Sequence, residues 1–422
     1  MIARPAAGWR DAHLHLGAYG EALEAVDLAG CGSCAEALEL ISERAEGLPA
    51  DAWVTAIRAR VEGWSDRRWP AHDELHAAGG GRCVVVRSFD IHSGAASTRV
   101  LELAGIDGAT PDPAGGRIER DSRGGATGLL IETAWRLIDR VLPAVTHESL
   151  TARVRLACDD LASRGFTEVH DMWTDLALAG AVRELESRGE LGLRVGLAPL
   201  HAEMRACLRD PAFAASDRVW VAGVKIFTDG TLNSRTAHML EPYADPDPAR
   251  VCGEALMTTA EIAGAVRDAE GAGLPIIAHA IGDGAVRSCL DAIEAAGSSV
   301  RGQRVEHAQF VDADDVGRFG ALGVIASVQP CHLLVDVEAL ERLTPGRLDR
   351  AFPLRDLVDG ARSAGRDERE LVWMGSDAPV VAACPADNVR AAVRRGREGS
   401  GVIGAGQAIS EAECVGLMGA GG

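Results

Sequence analysis

The sequence predicts an α/β protein, a (β/α)8 barrel of the TIM type with a large insertion after its first strand. Three observations lead there. Short apolar, β-branched runs end in a polar or ionisable residue and are followed by stretches rich in Ala, Leu, Glu and Arg, which is the alternation of βα units. Eight such runs occur, and eight alternating units fit a closed parallel barrel better than an open doubly wound sheet. The glycine-rich dinucleotide fingerprint is absent at the first turn.

In chain order the strands fall at 9–15, 166–171, 193–200, 221–227, 275–280, 304–308, 324–329 and 371–377. Helices fit at about 175–189, 258–272, 283–296, 312–321 and 349–365. The stretch 17–165 is too long for a link between two barrel strands and reads as a subdomain placed to cover the site. Within it lie a helix near 34–47, strand-like runs at 53–60 and 83–90, a Gly/Pro/Asp-rich loop over 105–128, and a helix from about 132 into the 150s. The chain thus divides into the first barrel strand (1–16), the insertion (17–165), the remainder of the barrel (166–398) and a Gly- and Ala-rich tail (399–422) with one weak helix at 410–418.

Composition narrows the partners. Hydrophobic residues make up 47% and charged residues 25%, as in ordinary soluble enzymes. The 43 basic and 62 acidic residues leave a charge of −19, which repels a phosphate backbone and an anionic lipid surface. No apolar run reaches the roughly 18 residues that span a bilayer, and the N-terminus lacks the charged and apolar regions of a signal peptide. The expectation is a cytoplasmic protein acting on a small molecule, without nucleic acid or membrane, and free to form a homo-oligomer. Ten cysteines are scattered singly apart from Cys31 and Cys34, which have no second pair at zinc-site spacing, so reduced thiols are expected.

Among the 43 basic residues a single one, Lys225, is lysine. A position that keeps lysine where arginine serves everywhere else needs chemistry a guanidinium lacks. His13 and His15 alternate on the first strand and so face the same side, the interior of a barrel. His279 lies near the end of the fifth strand, His307 of the sixth and Asp377 of the eighth, with Lys225 on the fourth. Strand ends share one rim in a parallel barrel, and ionisable residues there serve function. Four imidazoles and a carboxylate suit zinc, which takes N and O ligands and keeps a position open in catalytic sites. An ammonium repels a cation, but a neutral amine can take up carbon dioxide as an anionic carbamate that bridges two metals. The plain alternative is a lysine held by an ion pair. His170 and His332, on the same rim, suit substrate contact or polarisation of a carbonyl. Arg235 could hold a substrate carboxylate by its fork or only order its loop, and Asp283 and Glu306 sit beside ligand histidines as acceptors that could orient an imidazole or serve as solvated helix-cap or strand-end groups.

The segments DAHLHL, GVKIFTDGTLNSRTA, IIAHAIGD, RVEHAQFV, ASVQPCHL and GSDAPV resemble the amidohydrolase superfamily in its YtcJ-like (amidohydrolase-3) branch, which includes N-substituted formamide deformylase. The likeness runs from Trp9 to about Arg395, and the ordered set of six is specific where one alone is weak. The resemblance implies a first metal on His13 and His15, a bridging carbamate on Lys225, a second metal on His279 and His307, and Asp377 as both ligand and proton shuttle; it also sets His92 near the substrate pocket, where the alternative is a structural loop histidine. It implies hydrolysis of a non-peptide C–N bond (amide, formamide, cyclic imide or carbamate) by one or two divalent metals, zinc preferred. A one-metal deaminase, a lyase or isomerase, or a silent metal-binding protein are the rival readings, since fold does not fix reaction. Members of the family build a small β-sandwich from segments on both sides of the barrel. Here the HxH strand starts at residue 9 and Asp377 has 45 residues after it, so the sandwich is expected to be absent or vestigial.

Overall fold

The structure, a computed structural model, describes residues 5–88, 92–245 and 251–420. The chain forms two compact units, one of residues 1–19 and 147–422, the other of residues 20–146.

The larger unit is built on two arcs of parallel strands. The first runs Trp9–Leu14, Phe166–Asp171, Arg194–Leu197 and Val219–Val221; the second runs Val224–Phe227, Ile276–Ala280, Arg304–His307, Ile325–Val328 and Val372–Met374. Single parallel bridges, Leu14 to Ala378 and Leu200 to Lys225, join the ends of one arc to the other. The strands are buried along nearly their whole length, as expected of β-branched runs covered by helices. Helices His147–Ser163, Leu176–Ser187, Thr259–Glu270, Asp283–Ala296, Ala313–Leu322 and Leu354–Ser363 bury one apolar stripe each.

Local details differ from the sequence reading. The run at 221–227 is two strands, one on each arc. Its break falls at Gly223, where a Cβ would stand 2.8 Å from Pro275 O. The helix expected from 132 is only the short turn Arg136–Asp139, and the long helix begins at His147. Pro143 lies between them, where it can neither donate a helical hydrogen bond nor fit behind the preceding carbonyl. Residues 399–422 contribute a helix, Glu411–Leu417, opened by a capping box from Ser410. Arg10 N donates to Met418 O at 2.8 Å and Ala420 N to Gly8 O at 3.0 Å, tying this segment to the first strand.

The smaller unit is a mixed six-stranded sheet in the order Val26–Asp27, Trp53–Ala59, Cys83–Ser88, Ser93–Ala96, Ala126–Glu132, Gly116–Arg120. The region read as a loop over 105–128 therefore holds an edge strand and part of its partner, pinned by burial of Ile118. Glycine and aspartate turn signals outweigh so short an alternating run when only local sequence is read. No helix among the described residues is long and apolar enough to cross a membrane.

Candidate metal centre

The first and last strands of the larger unit meet at the site. Asp11, buried, accepts hydrogen bonds from Ser376 N at 3.0 Å, Ser376 Oγ at 2.6 Å and His13 N at 3.1 Å. Asp377 N donates to His13 O at 2.7 Å. The approach is close enough that a Cβ on Gly375 would lie 2.6 Å from His13 N, so only glycine fits there. The result brings His13 Nε2 within 3.4 Å and His15 Nε2 within 3.1 Å of one carboxylate oxygen, Asp377 Oδ1.

The strand 304–307 supplies a third group. Alternation places Arg304 and Glu306 on one side and would send His307 to the other, but His307 has a φ of 70° and turns toward His13, with ring centroids 4.8 Å apart. Asp377 is also left-handed, at φ 62°. Both residues adopt a sparsely populated conformation of the kind that gathers at functional sites. Donor atoms of His13, His307 and Asp377 lie within 4.8 Å of one another, the only such group found among the described residues. His279 stacks edge-on against His307 at 4.5 Å between centroids. Its Nε2 lies 3.1 Å from Gly230 O and 3.6 Å from Asp229 Oδ1.

Burial sets the charges. It lowers His279 to about 4 and holds His307 well below the usual imidazole range, so both rings are neutral donors near pH 7. Burial alone would raise Asp377, but His13, His15 and His307 outweigh it and hold the carboxyl well below the usual range. Burial and Lys225 oppose protonation of His13, yet Asp377 and Glu306 raise its pKa, so an arriving cation displaces a proton there. Lys225 is fully buried, with its Nζ 5.1 Å from the centre of the Phe227 ring and no ion pair among the described residues. Burial pushes it down to about 8.

These donors fit a small divalent cation. Tetrahedral zinc with ligands at about 2.0–2.1 Å separates its ligand atoms by about 3.3 Å, close to the spacings from Asp377 Oδ1 to the two imidazoles. Neutral imidazoles and one ionised carboxylate are the donor types zinc prefers.

The remaining sequence candidates part company. His332 borders the group, its Nε2 3.7 Å from Asp377 Oδ2 and donating to Ser376 O at 3.2 Å. His170, expected to face substrate, is 3% exposed; its Nδ1 accepts from Arg304 Nη1 at 2.8 Å and its Nε2 lies 3.3 Å from Glu168 Oε1. Both ring nitrogens are therefore taken. Arg235 is bound to Asp245 through Nη2 at 2.6 Å. His92, in the smaller unit, is exposed and pairs with Glu132 at 3.0 Å. Asp283 does not orient an imidazole: its Oδ1 accepts from Leu240 N at 2.7 Å and Gly284 N at 3.0 Å. Glu306 Oε2 lies 2.6 Å from Nδ1 of His13, not against the ring of its neighbour His307. Sequence reading missed Asp11 and Asp229. Asp229 stands at the end of the Lys225 strand, where an ionisable residue is itself a signal, and it accepts from Ile281 N, Gly282 N and His238 N.

A parallel α/β scaffold with histidines and an aspartate gathered at strand ends is the build of a metal-dependent hydrolase. The chain belongs to the amidohydrolase family, which it matches over residues 6–422. It is 30% identical over 403 residues to YtcJ of Bacillus subtilis strain 168, covering 92% of this chain and 73% of that one. It is 25% identical to the N-substituted formamide deformylase of Arthrobacter pascens, with the same two shares, 92% and 73%. Among solved structures, an uncharacterized metal-dependent hydrolase from Pyrococcus furiosus superposes with a TM-score of 0.77 at 27% identity over 97% of this chain and 80% of that one. One from Pyrococcus horikoshii gives 0.76 at 28% over 96% and 78%.

Proposed function

We propose that this protein hydrolyses a non-peptide C–N bond with a divalent metal, zinc preferred, on a (β/α)8-type barrel closed by the bridges between its two arcs. The observation that carries the reading is the convergence of His13 and His15 on Asp377 Oδ1, beside His307. His13, His15 and Asp377 would hold one metal, and His279 and His307 a second. Lys225 would serve both as a carbamate: its neutral amine would attack carbon dioxide, one N–H proton would leave, and an anionic carboxylate would remain. Its burial, its lowered pKa and its lack of an ion pair among the described residues support this assignment. When bound, the metal supplies Lewis acidity that brings the pKa of water from about 15.7 to about 7.

Asp377 takes the proton from water as it adds to the substrate carbonyl and returns it to the departing nitrogen, which cannot leave as an amide anion. His332 stands beside that carboxylate and is assigned to the carbonyl oxygen, which its Nε2–H would reach by giving up Ser376 O. His170, both nitrogens engaged, supports the barrel interior. Arg235 and His92, committed to Asp245 and Glu132, are not assigned to substrate. Trp173 is half exposed and packs at 5.8 Å against Phe227, which in turn lies 5.5 Å from His279. This aromatic lip favours a substrate with an apolar or aryl group next to the C–N bond.

The test is metal removal and turnover on a panel of amides, formamides, imides and carbamates. Chelation should abolish hydrolysis and zinc or cobalt restore it. Turnover that survives complete metal removal would overturn the reading.

A further inference from the structure

A guanidinium and a carboxylate lie fully buried beneath His13. Arg304 Nη2 is 2.8 Å from Glu306 Oε1, at an angle too poor for a hydrogen bond, and also donates to Ala12 O at 2.7 Å and Ser327 Oγ at 3.2 Å. Its Nη1 donates to His170 Nδ1 at 2.8 Å, and His170 is itself boxed between Trp220 and Trp373 at 5.5 and 5.6 Å. Glu306 Oε2 lies 2.6 Å from His13 Nδ1. A buried ion pair is weak evidence of stability, because apolar residues of the same shape usually serve as well. One whose free oxygen is aimed at a single ring nitrogen has a further use.

We infer that Arg304 and Glu306 are positioning residues for the metal centre: Arg304 pins Glu306, and Glu306 accepts the Nδ1–H of His13. The inference rests on the reading of His13 as a metal ligand. Ala12 O, held by the same guanidinium, belongs to the residue before His13, so one cation fixes both the backbone and the ring. With Nδ1 carrying the proton, Nε2 presents its lone pair toward Asp377 and the cation. An anionic acceptor also raises the basicity of that lone pair. His170 and Glu168 extend the support away from the site, with Arg194 Nη1 bound to Glu168 Oε2 at 2.9 Å. The short segment RVEH thus supplies one ligand, His307, and the orienting group for another on a different strand.

The test compares wild type, Glu306→Gln, and the double variant Arg304→Met with Glu306→Gln, which removes both charges of the buried pair together. Each is stripped of metal and titrated with zinc against a chromophoric chelator, while melting of the metal-free form is followed. Zinc affinity should fall about 10- to 100-fold in both variants, with the metal-free double variant melting within about 3 °C of wild type. A folded variant that binds zinc within about twofold of wild type would overturn the inference. Failure of wild type to bind zinc or cobalt would instead end the metal-centre reading. The tautomer of His13 gives an answer that needs no Glu306 variant. In ¹⁵N-histidine spectra of metal-free wild type, followed upward in pH until the His13 ring, whose pKa Asp377 and Glu306 raise, carries a single proton, and with the signals assigned by their loss in His13→Asn, Nδ1–H is expected. Nε2–H would overturn the positioning role.

Discussion

His15 Nε2 and Asp377 Oδ1 stand 3.1 Å apart, one on the residue after the first strand and the other on a left-handed residue beyond the last. The contact exists because Asp11 and Gly375 draw the two strand ends together. It puts the proposed proton shuttle within reach of both histidines of the HxH motif.

Asp377→Asn should keep the fold and lose most turnover. Asn preserves the hydrogen-bonding shape but can neither accept nor return a proton, and loss of a positioned general acid–base is worth about 10²–10⁴ in rate. Circular dichroism and kcat on the best substrate of the panel decide it. Near-native kcat would move the shuttle to His332, the next ionisable group beside that carboxylate.

Lys225→Arg should abolish the second metal and nearly all activity, since a guanidinium cannot be carboxylated. Lys225→Ala removes the cation and opens space, so bicarbonate or acetate should restore part of its turnover but none in the Arg variant. Metal stoichiometry and rates with and without added acid check both. Two metals and full activity in the Arg variant would rule out the carbamate.

Trp173→Ala should lower kcat/KM about tenfold for an aryl amide, roughly the value of one aromatic contact, and change it little for a short aliphatic one. The effect should lie mainly in KM, because the lip binds ground state and transition state alike. Equal losses on both substrates would show that Trp173 is structural.

His170 should make the protein acid-sensitive. Burial lowers its pKa to about 4, whereas in an unfolded chain it titrates near 6.5. The unfolded state therefore binds a proton that the folded state refuses as pH falls from about 6.5 to about 4, and stability drops through that window by up to about 3 kcal/mol. Asp11 pulls the other way, because burial raises it to about 6 despite its hydrogen bonds from Ser376. The measurement is thus the difference between wild type and His170→Asn in melting across this range. A difference that does not shrink from neutral to acid pH would contradict the neutral buried ring.

The sequence by itself determined the strand runs, the motif segments and the donor types. A two-residue period fixes which side of a strand a residue takes, and the one lysine in the chain is visible by counting. Burial within the tertiary structure decided the charges: a lysine pKa pushed down to about 8 and imidazoles kept unprotonated depend on how much water is excluded, which no local window reports. Partner choice was decided there too. Glu306 binds His13 and not its own neighbour, Asp283 turns to Leu240 N, and His170 is drawn under the site by Arg304. His307 reaches the centre only because its backbone leaves the alternation that sequence reading assumes. Periodicity constrains direction along one strand, whereas these contacts join strands far apart in the chain and are set by the register and packing that bring those strands together.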